Sequence, residues 1–177
     1  MSDHQKPPAM KLLFELTIQN NSNHTEVERI RRLTLNSNSS LGLGGLHGLY
    51  GTPEWWSSIQ GGLIKTRKCS GIIYRVYFAD GSDDSEDLMM DVYSNGLMVA
   101  ESCYALSPAD YHLFRPGHRV EFRCAYNELK VPREDGQPAY SQSMLEMLVS
   151  EKPWPGAELI VNNPEIGKIK RTFLLNP

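Results

Sequence analysis

The chain has 177 residues, a formal net charge of -3, 40% apolar residues and 22% charged residues. This balance is that of one folded globular domain, and it excludes a disordered chain, a collagen, a coiled coil, a disulfide-stapled mini-protein and a bundle of membrane spans. A chain of this length buries roughly two thirds of its unfolded surface, so it needs neither disulfides nor a structural metal to hold a core.

Residues 1–10 read as a frayed polar tail, and residues 11–177 as a single β-rich domain. Lys11 to Gln19 alternates, with Leu12, Phe14, Leu16 and Ile18 on one face, as a half-buried strand does. Thr25-Glu26-Val27-Glu28 fits a capping box, and Val27, Ile30 and Leu33 follow at helical spacing. Residues 36–51 form a Ser/Asn/Gly-rich loop, expected to be a flexible connector. Thr52-Pro53-Glu54 then supplies a helix start, with a cap, a first-turn proline and an acid at the positive end of the dipole. Gly61-Gly62 stops that helix.

From there the pattern is β. Leu63–Lys68 and Gly71–Ala79 read as two strands. Leu88–Ser94 and Leu97–Tyr104 flank Asn95-Gly96, a strong short-range hairpin signal. A two-residue turn sets Val92 opposite Val99, Met90 opposite Glu101 and Leu88 opposite Cys103. Ser107-Pro108-Ala109-Asp110 caps one helical turn. After Pro116-Gly117, Val120, Phe122, Cys124 and Tyr126 point one way while Arg119, Glu121 and Arg123 point the other. Residues 132–138 are a polar loop, Met144–Val149 a strand and Pro153–Gly156 a rigid turn. Glu158–Val161 and Lys168–Leu175 are expected to close the sheet. The class is mainly β, a β-rich α+β fold: a small antiparallel barrel or sandwich of about eight strands with one or two short helices.

No catalytic or metal-binding spacing is present. The Gly42–Gly51 loop lacks the Lys of a P-loop and carries His47 where a dinucleotide fingerprint has Gly. Asp80 to Asp91 carries Ser85 where a calcium loop needs Gly. The five histidines form no zinc motif. Cys69, Cys103 and Cys124 lie in or beside strand-like runs and read as small buried hydrophobes. With no apolar leader core in the first residues, they place the chain in a reducing cytoplasm. No cofactor, metal or membrane is expected.

Charge is segregated. Residues 81–114 hold Asp83, Asp84, Glu86, Asp87, Asp91, Glu101 and Asp110 and no Lys or Arg. Basic residues interleave with aromatics at Lys65, Arg67, Lys68, Tyr74, Arg75 and Tyr77, and again at Arg115, Arg119 and Arg123. Trp55 and Trp56 point about 100° apart on one helix, so one of them can reach the surface. The candidate recognition surface is therefore Trp55, Trp56, Arg67, Arg75, Asp83, Asp84, Asp87, Arg115, Arg119 and Arg123. The reading that follows is a non-enzymatic cytoplasmic binding or adaptor domain for a protein partner or small ligand. The alternative is a single-stranded nucleic-acid-binding barrel, disfavoured by a pI near 6.0. A third is an enzyme whose residues converge only in space.

Overall fold

The computed structural model describes residues 6–80 and 86–177. The elements run β1 (Met10–Glu15), α1 (Leu16–Ser22), α2 (His24–Leu35), α3 (Pro53–Gln60), β2 (Thr66–Asp80), β3 (Glu86–Ser94), β4 (Leu97–Ser102), a 3-10 helix (Pro108–Leu113), β5 (Arg119–Glu128), β6 (Tyr140–Ser150), α4 (Glu158–Val161), α5 (Pro164–Gly167) and β7 (Arg171–Thr172). The strand order is β1-β6-β5-β2-β3-β4-β7. The sheet is mixed: β2, β3 and β4 pair antiparallel, whereas β7 lies parallel to β4. The class is the β-rich α+β fold expected, with seven strands in a mixed sheet in place of about eight in a small antiparallel barrel or sandwich. The chain divides into two compact units. One is Met1–Phe14, Cys69–Phe122 and Met147–Leu174; the other is Glu15–Lys68, Arg123–Glu146 and Leu175–Pro177.

In the first unit, the β3–β4 hairpin turns at Asn95 (φ 49°) and Gly96 (φ 84°), the left-handed pair that an Asn-Gly turn supplies. The register is the expected one, with Val92 opposite Val99 and Met90 opposite Glu101, and Val92 and Val99 are buried. The Cys103 N–H donates to the Leu88 carbonyl at 2.8 Å, which continues the ladder. Gly71 does not begin a strand. It lies inside the 15-residue β2, because a Cβ there would come within 2.3 Å of the Tyr93 carbonyl oxygen. Only glycine allows that approach, so the two strands expected over 63–79 are one. The apolar run at Glu158–Val161 forms a helical turn in place of a strand, with the Val161 N–H bonded to the Ala157 carbonyl at 3.0 Å. The 168–175 segment pairs at only two residues, Arg171 and Thr172.

In the second unit, residues 16–22 are helical where a strand to Gln19 is expected. Leu16 and Ile18 share a face on a strand but lie about 200° apart on a helix, so Leu16 is buried and Ile18 is 49% exposed. α2 starts two residues earlier than the Thr25 capping box implies. Its cap is Asn23, whose side chain accepts the Glu26 N–H. α3 is capped by Thr52, whose hydroxyl accepts the Trp55 N–H. The glycine loop is not a free connector. The Gly44 N–H donates to the Glu128 carbonyl at 2.7 Å and the Lys130 N–H to the Gly42 carbonyl at 3.2 Å. The Lys130 ammonium also donates to the carbonyls of Leu33 and Asn36, which satisfies acceptors at the C-terminus of α2.

Candidate functional site

Two regions of the first unit and one of the second combine exposure with defined chemistry. The first is a cavity of about 590 Å³ lined by Phe78, Asp87, Leu88, Ser102, Cys103, Tyr104 and Tyr111. Its floor is built by register: Phe78 of β2 lies opposite Leu88 of β3, and Ala79 opposite Asp87. Phe78 is 68% exposed although it is a large aromatic on a strand. The other rings are held from behind. Tyr104 packs on Phe14 with centroids 5.3 Å apart, and Tyr111 on Phe114 at 5.8 Å. A 2.7 Å ion pair between Lys11 and Asp110 ties the 3-10 helix to β1. Burial, and then the charge of Glu101, push the Cys103 thiol up to about 12. It remains a neutral thiol at physiological pH, so it is no nucleophile. The cavity offers aromatic surface and one exposed carboxylate, the chemistry of binding.

The second region surrounds Asp91, whose side chain is 2% exposed. Its Oδ2 accepts from Arg75 Nε at 2.5 Å and from Arg171 Nε at 2.8 Å, and its Oδ1 from the Tyr77 hydroxyl at 3.2 Å. Both guanidinium groups also lie over the Tyr77 ring, at 5.3 and 4.6 Å. Two cations share one carboxylate, so the cluster keeps a surplus positive charge at the surface. The ring between them is a less favourable place for the phenolate. Burial, with the Asp91 charge beside it, raises the Tyr77 pKa.

The third region is a cavity of about 150 Å³ under the glycine loop, lined among others by Gly48, Trp55, Ile64, Lys65 and Tyr126. Trp55 is its wall. The indole N–H donates to Asn127 Oδ1 at 2.8 Å, and the Asn127 amide donates to Ser143 Oγ at 2.9 Å.

The described residues among those singled out from the sequence have different neighbours. Trp55 is a core anchor, 1% exposed, because its one polar atom finds a buried acceptor in Asn127. Trp56 is half-buried, edge-on to Trp55 at 4.8 Å. Arg67 and Arg115 are exposed. Arg75 belongs to the Asp91 cluster. Arg119 pairs with Glu121 at 2.8 Å, donates to Ser70 Oγ and covers the Trp154 ring at 4.9 Å. Arg123 pairs with Glu146 at 3.1 Å. These last two arginines neutralise strand neighbours, as a solvated sheet face does. Asp87 lines the aromatic cavity, whereas Asp83 and Asp84 lie outside the described residues. The -7 balance of residues 81–114 is thus partly neutralised in the fold: Asp91 by two arginines and Asp110 by Lys11.

Phe78, Tyr104 and Tyr111 escape the sequence reading. The usable signal is Phe78 standing two positions before a run of five acids in residues 80–87. Among the described residues no three His, Cys, Asp or Glu side chains converge as a metal-binding group.

Residues 10–150 of the chain match a protein-family model described as Immunity protein RhsI2. No curated protein matches.

Proposed function

The chain belongs to the RhsI2 immunity protein family, and from that premise we propose that it binds a cognate Rhs toxin and holds it inactive. Membership carries a protein-binding, non-enzymatic role. The observation that carries the reading is the extent of the match, residues 10–150, which takes in every long strand. The surface chemistry agrees with it. Exposed aromatic and arginine side chains, fixed by neighbours before any partner arrives, are the residue types that dominate protein interfaces. Preorganised rings lose little conformational freedom on binding. We place the encounter in the cytoplasm, which suits three buried thiols with no disulfide among them. Cell fractionation checks that placement.

The test is co-expression. Each Rhs toxin domain encoded in the same genome is produced in bacterial cells with and without this chain. One domain's growth arrest should be relieved, and that domain should co-purify with the chain. Protection should require the chain in at least equimolar amount, since a binder is consumed by each toxin it holds. Relief of no toxin domain counts against the proposal. So does protection by a small fraction of an equivalent without physical association, which would indicate an enzyme acting on the toxin or its product.

A further inference from the structure

We propose that the cavity between Phe78, Leu88, Tyr104 and Tyr111 is the anchor pocket for a lysine or arginine side chain of the toxin. The inference rests on the immunity reading and names the surface and the partner chemistry for it.

The walls are aromatic and aliphatic, and the exposed carboxylate is Asp87. Such a site suits a side chain with an apolar stem and a cationic head. The stem lies along rings, a ring face attracts the cation, and the carboxylate takes the charge. An isolated apolar anchor would not need the acid.

The charge around the pocket points the same way. Five carboxylates occupy residues 80–87, at the end of the β2–β3 pair that carries both Phe78 and Asp87. No Lys or Arg appears between residues 81 and 114. The acids further along this stretch are committed elsewhere. Asp91 holds Arg75 and Arg171, Asp110 holds Lys11, and Glu101 is buried. Asp87, exposed and lining this pocket, is therefore the described carboxylate of the stretch that is left to meet a cationic partner. A field of that sign speeds capture of a cationic surface, and the ring-lined pocket then holds it.

The geometry is ready before binding. Tyr104 is backed by Phe14 and Tyr111 by Phe114, so two of the three rings are already placed. Phe78 projects into solvent as the exposed wall.

The test uses the full chain and the toxin domain that it relieves in cells, with affinity and association rate measured between the purified proteins. Phe78→Ala should weaken binding at least about tenfold, as loss of a central aromatic anchor does. Asp87→Lys should slow association by roughly tenfold at low salt, with the difference shrinking as salt is raised. Leu159→Ala, an exposed apolar truncation on α4, should bind as the wild type does. Far-UV circular dichroism and the urea midpoint show that each variant is folded; both substituted side chains of the pocket are exposed. Wild-type affinity in folded Phe78→Ala and Asp87→Lys overturns the proposal. Weakening by Phe78→Ala alone also overturns it, because the occupant is then apolar. A wild-type dimer in sedimentation that Phe78→Ala disperses assigns the pocket to a second copy and overturns it as well. Failure of the wild-type chain to bind or relieve any toxin domain is a different result, which removes the immunity reading itself.

Discussion

Asp91 accepts three hydrogen bonds from side chains that are 16, 14 and 80 residues away in the chain. In the sequence it is one acid of a run and Arg75 one base of another, and nothing local marks their pairing. Asp91→Asn keeps the shape and removes the charge that two guanidinium groups share. Breaking a fully buried pair costs roughly 3–5 kcal/mol, and here both arginines reach solvent, so a loss of about 2 kcal/mol is expected in urea denaturation. Cys103 is the opposite case, a residue whose burial was legible from its place on the apolar face of the hairpin. Its thiol titrates near 12 in the fold, whereas an unfolded thiol ionises near 9. Below pH 9 both states are protonated and the fold keeps its full stability. As pH rises from 9 toward 12 the unfolded chain releases the proton first, so stability falls. Tyr50, raised by burial, acts in the same direction. The urea midpoint should therefore drop between pH 9 and 11, and Cys103→Ala should flatten part of that drop.

At the scale of elements, the turn-defined hairpin was readable to the residue, because Asn95-Gly96 dictates both the turn and the register. The failures are of two kinds. Over residues 12–18 the apolar alternation is too short to tell a strand from a strand that ends in a helix, and the chain turns helical at Leu16. At Gly71 the residue looked like punctuation, whereas its meaning is tertiary: β3 comes too close for a Cβ. Gly71→Ala should push β2 from β3, with the Tyr93 carbonyl as the clashing atom. Backbone cannot swing aside as a side-chain tip does, so overpacking of about 1–3 kcal/mol is expected. For a chain of this size that lowers Tm by about 2–4 °C per kcal/mol, which calorimetry resolves.

For the whole molecule, class was legible and topology was not. Strand content follows from local pattern, but an order such as β1-β6-β5-β2-β3-β4-β7 depends on pairings between residues far apart. The aromatic cavity was invisible for the same reason, since Phe78, Leu88, Tyr104 and Tyr111 come from four separate stretches of chain. The cysteine reading makes a global prediction. With Cys69, Cys103 and Cys124 buried and no disulfide joining them, reductant should leave Tm unchanged. The short parallel strand β7 carries the fold past the region that the family model matches. The family match ends at residue 150, yet Arg171 lies beyond it, paired alongside Met98 of β4 and holding Asp91. A fragment trimmed to the shared region would strip the cover from the β4 edge and leave Asp91 with Arg75 and the Tyr77 hydroxyl. Such a fragment should express as an aggregation-prone species, with an open strand edge as its point of self-association. The segment after residue 150 is then part of the fold's integrity, and the matched region understates the length of chain that must be kept together.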